Sequence, residues 1–193
     1  MKRWTQLTLA LMTAVPLVAC GGDTNRAQDT RDNPAAVGTA GTGAPDADFI
    51  EEQLVDGNKE VELGRLAQQK ASNPEVREFA QMMVRDHTQA GDELKQIASK
   101  HNIQPPTAGD RDAHADLQEK LTNASGAEFD REYIDAMVDD HEKAVNDVKD
   151  KAEDADNPEV KQWAAKTLPT LQQHLDRAKQ IQQTLNQSEN RNR

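Results

Sequence analysis

Residues 73–80 read NPEVREFA, and residues 157–164 repeat this pattern as NPEVKQWA. In each copy the asparagine can cap a helix, the proline suits its first turn, and the glutamate lies at the positive end of the helix dipole. Apolar residues recur at three- and four-residue spacing on both sides of each copy, which is typical of amphipathic helices. The repeat therefore predicts two antiparallel helical hairpins, each with a tight Asn-Pro turn.

Further signals set the limits of the four long helices. Two capping boxes predict the starts of the first and third helices: Asp48 with Glu51, and Ser125 with Glu128. Residues 102–125 then form a long crossover between the hairpins, with a short polar helix over about 110–123. We predict an all-α, ferritin-like four-helix bundle of two antiparallel hairpins over residues 46–187, followed by a polar tail, 188–193.

Composition narrows the possible functions. The chain of 193 residues carries 23 Lys and Arg against 34 Asp and Glu, for a net charge of -11. Such a surface repels nucleic acid, so we expect no nucleic-acid partner. Aromatic residues make up only 3% of the chain, which favours a helical core of small aliphatic side chains. The single cysteine excludes an internal disulfide.

The N-terminus predicts a lipoprotein signal peptide over residues 1–19. Lys2 and Arg3 precede an apolar run of about 12 residues, which is too short to span a bilayer as a helix. The run ends in LVACG at residues 17–21. This ending resembles a bacterial lipobox, which implies cleavage before Cys20 and acylation of its sulfur. An ordinary secretory signal with an incidental cysteine is the alternative.

Residues 20–45 are expected to be a lipidated, disordered tether, because they lack apolar periodicity and are rich in small and polar residues. Acyl chains on Cys20 would anchor the chain stably to a membrane. Gly21 is not the aspartate associated with inner-membrane retention. We therefore expect a cell-envelope protein, in the outer membrane of a two-membrane cell and facing the periplasm. The sequence identifies no protein partner.

Four polar side chains fall at one depth of the predicted bundle. Glu60 lies 13 residues before Asn73 and His87 lies 14 after it, whereas His141 lies 16 before Asn157 and His174 lies 17 after it. At 1.5 Å per residue, each pair is level across its hairpin. All four also lie on the apolar faces of their helices, so we expect them to meet in the core.

Two interpretations of this polar layer remain open. One divalent transition metal ion (Zn, Fe, Cu or Mn) would satisfy one carboxylate and three imidazoles, and Asp86 and Asp140 could then orient the rings as hydrogen-bond acceptors. Alternatively, the histidines bond one another and Glu60 and only fix the packing of the hairpins. No nucleophile–base pair or phosphate-binding loop is present, so we expect a binding or structural protein rather than an enzyme.

The folded region is similar to a bacterial envelope family of ferritin-like proteins, domain of unknown function 4142, often labelled predicted outer-membrane proteins. The similarity is carried by residues 60–67 (EVELGRLA), 73–76 (NPEV), 79–80 (FA), 83–87 (MVRDH), 137–141 (MVDDH), 168–169 (LP) and 174–175 (HL), and by Tyr133. The resemblance implies the ferritin-like fold and no established activity.

The chain departs from ferritin relatives that oxidise metals. Those proteins use Glu-x-x-His on two helices. Here the residues three positions before His87, His141 and His174 are Val84, Val138 and Leu171. A di-iron carboxylate site would lack its bridging glutamates, so iron oxidation or storage is not expected.

Overall fold

The computed structural model describes residues 44–104 and 114–191, which form five α-helices and no strand. The helices are α1 (Ala47–Lys70), α2 (Pro74–Lys100), α3 (Ala115–Asn123), α4 (Gly126–Asp154) and α5 (Pro158–Arg191). The prediction of an all-α fold with four long helices is confirmed, and α3 is the short helix expected in the crossover. The predicted signal peptide, Cys20 and most of the predicted tether lie outside the described residues.

The two Asn-Pro turns have the local structure that the repeat predicts. The side chain of Asn73 accepts a hydrogen bond from the backbone N–H of Glu75 at 2.8 Å, and Asn157 accepts one from Glu159 at 2.9 Å. Helices α1 and α2 pack closely as one hairpin and α4 and α5 as the other, and the hairpins meet mainly along α2 and α5. The crossover between residues 101 and 125 joins the hairpins.

The predicted capping boxes are not formed. Helix α1 begins one residue before Asp48, and its N-cap is Asp46, which has a φ of 60°. Ser125 is the N-cap of α4, but its side chain makes no capping hydrogen bond. The predicted capping hydrogen bonds were therefore wrong. Tertiary contacts, rather than local side chains, stabilise the starts of these two helices.

Two buried carboxylates make those tertiary contacts. Asp46, at the start of α1, accepts hydrogen bonds from the backbone N–H of Asn157 at 2.9 Å and from Lys151 Nζ at 2.6 Å. Asp130, in the first turns of α4, accepts from the backbone N–H groups of Ser72 at 3.0 Å and Asn73 at 2.9 Å. Each hairpin thus bonds the turn of the other, in a two-fold arrangement that matches the sequence repeat.

The C-terminal helix is longer than predicted. Helix α5 continues to Arg191 and so includes the first residues of the predicted polar tail. Glu189 forms an ion pair with Arg131 of α4, at 3.3 Å, which holds this extension against the bundle. Pro169 interrupts the backbone bonding of α5 on its exposed face and does not enter the core.

A polar layer divides the core into two apolar clusters. The first cluster contains Leu63, Met83, Val138 and Ala178, and the second contains Leu54, Leu94, Val148 and Leu171. Each long helix contributes one polar residue to this layer, and in the sequence that residue lies between a residue of the first cluster and a residue of the second. The four polar residues are Glu60, His87, His141 and His174.

Helices α1 and α2 approach each other closely at Gly64. A Cβ atom at this position would lie 2.8 Å from Val84 Cγ2 and 3.2 Å from the carbonyl oxygen of Ala80. We therefore expect Gly64→Ala to lower the free energy of unfolding by about 1–3 kcal/mol, measured by chemical denaturation. The matched control is Gly91→Ala, whose Cβ meets no atom within 4 Å, and it should gain up to about 1 kcal/mol from helix propensity. Equal effects of the two substitutions would contradict this account of Gly64.

Candidate metal centre

Three imidazole rings and one carboxylate meet between the two apolar clusters. Each long helix contributes one side chain, and the exposed fractions are 4% for Glu60, 9% for His87, 0% for His141 and 1% for His174. The centroids of the three rings are 5.3–5.4 Å apart. One ligating atom from each histidine lies within 4.8 Å of the others. The structure thus brings together all four side chains that the depth count placed at one level.

Hydrogen-bond partners assign the protons of two rings. His141 Nδ1 lies 3.0 Å from the carbonyl oxygen of Met137, and His174 Nε2 lies 3.1 Å from Asp86 Oδ2. A carbonyl oxygen and an ionised carboxylate only accept hydrogen bonds, so these two ring nitrogens carry the hydrogens. In neutral rings the other nitrogens, His141 Nε2 and His174 Nδ1, then hold lone pairs. These two atoms face each other at 3.3 Å.

The third ring adds a buried nitrogen without a partner to the same layer. His87 Nδ1 lies 2.8 Å from Glu60 Oε2 and donates its hydrogen to this carboxylate. His87 Nε2 is buried and has no hydrogen-bond partner among the described residues. Glu60 Oε1 lies 3.5 Å from His141 Nδ1, so the same carboxylate also faces the second ring. Among the described residues, the unprotonated nitrogens of His141 and His174 therefore have no hydrogen-bond donor, and His87 Nε2 has no partner.

Burial keeps two of the rings neutral. It lowers the pKa of His174 to about 4, with a further contribution from the neighbouring His87, and it also lowers the pKa of His141. Burial would lower the pKa of His87 too, but the attraction of Glu60 outweighs it and the net shift is upward. The pKa of Glu60 falls to about 2, because the attraction of His87 and His141 outweighs the effect of burial. Glu60 is therefore an ionised acceptor at neutral pH.

The ring nitrogens have a spacing that suits a metal ion. Metal–imidazole bonds of about 2.0–2.1 Å at tetrahedral angles place ligand nitrogens about 3.3 Å apart. His141 Nε2 and His174 Nδ1 already have this separation. One nitrogen of His87 lies within 4.8 Å of a nitrogen of each other ring, so a movement of at most about 1.5 Å would bring it to ligand distance. The donor set thus fits one ion with three imidazole ligands and an open position.

The three carboxylates predicted for this site, Glu60, Asp86 and Asp140, have different bonding partners in the structure. Glu60 contacts two rings through their Nδ1 atoms, where it fixes ring orientation. Asp86 bonds His174 of the other hairpin and not the adjacent His87. Asp140 pairs with Lys59 Nζ at 2.9 Å. Sequence reasoning missed Lys59 and the carbonyl of Met137, because neither a lysine on a helix nor a backbone oxygen gives a distinctive sequence signal.

The fold and the site thus define an all-helical bundle with a buried imidazole cluster as its candidate metal centre. The chain belongs to the family described as domain of unknown function DUF4142, whose profile matches residues 31–181. A comparison with curated proteins gives no match. In the described residues, no helix is sufficiently long and apolar to cross a membrane.

Solved structures with a similar fold include those of CopM. CopM in the Cu(II)-bound form is 24% identical to this chain, with a TM-score of 0.60, and the alignment covers 72% of this chain and 97% of CopM. The apo form of CopM is 25% identical, with a TM-score of 0.60 and coverage of 72% and 96%. A DUF305 fragment from Deinococcus radiodurans is 13% identical, with a TM-score of 0.62 and coverage of 74% and 95%. These similarities support the helical-bundle fold.

Proposed function

We propose that the protein binds one transition metal ion through His87, His141 and His174. The observation that carries this proposal is the set of facing, unprotonated ring nitrogens described above. Buried polar atoms normally have a hydrogen-bond partner, and two lone pairs at 3.3 Å repel each other unless a cation or a proton lies between them. Because burial lowers the pKa values of both rings, a metal ion is the better candidate for that position.

Copper is the first ion to test. Imidazole nitrogen suits zinc, copper, iron and nickel, and among divalent first-row ions Cu(II) binds a given nitrogen site most tightly. CopM, which has a similar fold, has been solved in Cu(II)-bound, Cu(I)-bound and silver-bound forms. Zinc, iron and manganese are the competing ions for the same ligands.

Groups outside the ligand set would hold the rings in place. Metal-binding histidines usually donate their second N–H to a carboxylate or a backbone carbonyl, which fixes ring orientation and makes the ligating nitrogen more basic. Each ring here has such a partner: Glu60 for His87, Met137 O for His141, and Asp86 for His174. Glu60 therefore supports the ligands in this proposal.

A structural polar layer is the second candidate function. The bond between Glu60 and His87 joins α1 to α2, and the bond between Asp86 and His174 joins α2 to α5. These bonds would fix the packing of the helices with no ion present.

Metal content distinguishes the two functions. The purified chain is stripped with a chelator, incubated separately with Cu, Zn, Fe and Mn, desalted, and measured by mass spectrometry for bound metal. Metal binding predicts one copper ion retained per chain. Retention at background for all four metals would contradict the proposal and leave the structural function.

The proposed location is the cell envelope, with the chain anchored through lipid on Cys20. The support for this proposal is the lipobox-like sequence at residues 17–21 and the polar segment that follows it. We expect Cys20→Ala to move the protein from the membrane fraction to the aqueous fraction and to abolish acyl labelling. Globomycin, which blocks lipoprotein signal cleavage, should cause the wild-type chain to accumulate as its uncleaved precursor. Unchanged membrane association and processing in Cys20→Ala would contradict the anchor.

A further inference from the structure

A cavity of about 360 Å³ adjoins the polar layer and is lined by residues of all four long helices. At its outer end it is lined by the exposed side chains of Glu52 and Lys143, and at its inner end by the buried Glu60 and His87. His87 Nε2 is the buried nitrogen that has no partner in the described residues. The cavity therefore extends from the protein surface to the ring whose free nitrogen is the expected metal ligand.

Carboxylates outnumber lysines in the lining of this cavity. The charged lining residues are Glu52, Asp56, Glu60 and Asp140 against Lys59 and Lys143. Both lysines are already paired, Lys59 with Asp140 at 2.9 Å and Lys143 with Glu52 at 2.6 Å. His114 also lines the cavity and faces Asp56 at 3.5 Å, but burial lowers the pKa of this histidine and favours its neutral form, so the remaining negative charge lies on Asp56 and Glu60. A cleft lined by one sign of charge raises the local concentration and the association rate of oppositely charged ions.

We propose that this cavity is the path by which a divalent cation reaches the three imidazoles. Along α1, Asp56 lies between Glu52 at the outer end of the cavity and Glu60 at its inner end. Asp56 therefore attracts the cation before the cation meets His87. This inference rests on the proposed metal binding, and it adds the route and a residue that controls the rate.

Trp163 gives a direct readout of cation arrival. It lines the cavity and donates its Nε1–H to the carbonyl oxygen of Ala90 at 3.0 Å. The chain has two tryptophans, so Trp4→Phe in the full chain leaves Trp163 as the sole emitter. Cu(II) quenches tryptophan emission at short range, so stopped-flow fluorescence with Cu(II) alone measures the association rate.

Two variants test the route. Gly91 lines the cavity, and a Cβ there meets no atom within 4 Å, so Gly91→Leu fills space without a clash at its Cβ. Gly91→Leu should slow Cu(II) association by roughly 10-fold, and Asp56→Asn should slow it by about 3-fold at low salt, with a weaker salt dependence. Both variants should still retain one copper ion per chain at equilibrium.

Matched controls lie in a separate groove between α2 and α5. Asp176→Asn makes the same change of charge, and Gln173→Leu adds the same side chain, at positions that line that groove. Both controls should associate with Cu(II) at the wild-type rate. A wild-type rate for Gly91→Leu would overturn the route, and a wild-type rate for Asp56→Asn would overturn the role of this carboxylate. Absence of retained copper in the wild-type chain would instead contradict the proposed function.

Discussion

Stoichiometric copper binding is expected to be lost when His87→Ala is combined with His141→Ala. The double substitution removes two of three ligands, and His174 with Glu60 nearby offers too few ligands for an ion that normally takes at least three from the protein. Copper retained after chelation, reloading and desalting should fall from one ion per chain to background. Isothermal titration of the same samples should show no saturable site.

The control for this experiment is His101→Ala. His101 bonds Glu159 at the end of α2, is one-third exposed in its side chain, and lies away from the polar layer. It should leave the copper content unchanged. Retention of one copper ion by the double variant would contradict the assignment of the ligands. A variant that loses copper but keeps its helical circular dichroism would show that the loss does not result from unfolding.

Copper is also expected to stabilise the wild-type fold strongly. An ion that binds only the folded chain adds RT ln(1 + [L]/Kd), or about 4 kcal/mol at a thousandfold excess over Kd. For a folded region of this size, that corresponds to a rise in melting temperature of about 10 °C. Thermal denaturation followed by circular dichroism, with and without copper, measures the shift.

The same measurement separates metal binding from a purely structural layer. The double His87→Ala, His141→Ala variant should show no copper-dependent shift, whereas His101→Ala should shift as the wild type does. In the metal-free state, replacement of His141 by leucine should cost little, because it removes one of two facing lone pairs. If the layer is only structural, copper leaves the wild-type melting temperature unchanged and His141→Leu lowers it.

Much of the fold could be predicted from the sequence because its signals are local and repeated. The Asn-Pro turns fix both hairpins, and residue counts from Asn73 and Asn157 place the four polar side chains at one depth. These counts work because the rise per residue in a helix is constant.

Contacts between the hairpins could not be predicted in this way. Asp86 bonds His174, which is 88 residues away, and Asp46 bonds Asn157, which is 111 residues away. Helical periodicity gives the face on which a side chain lies but not its partner on another helix. The same limit applies to Asp46, which is the N-cap of α1 although the local sequence favours Asp48, and to the extension of α5, which Arg131 holds through Glu189.

The most direct test of the central claim is the position of copper in a crystal of the copper-loaded chain, located by anomalous scattering at the copper edge. We predict one strong peak, about 2.0–2.1 Å from one ring nitrogen each of His87, His141 and His174, with Glu60 still bonded to His87 Nδ1. A peak elsewhere on the chain, or none between the three rings, would contradict the claim that these histidines form a metal centre.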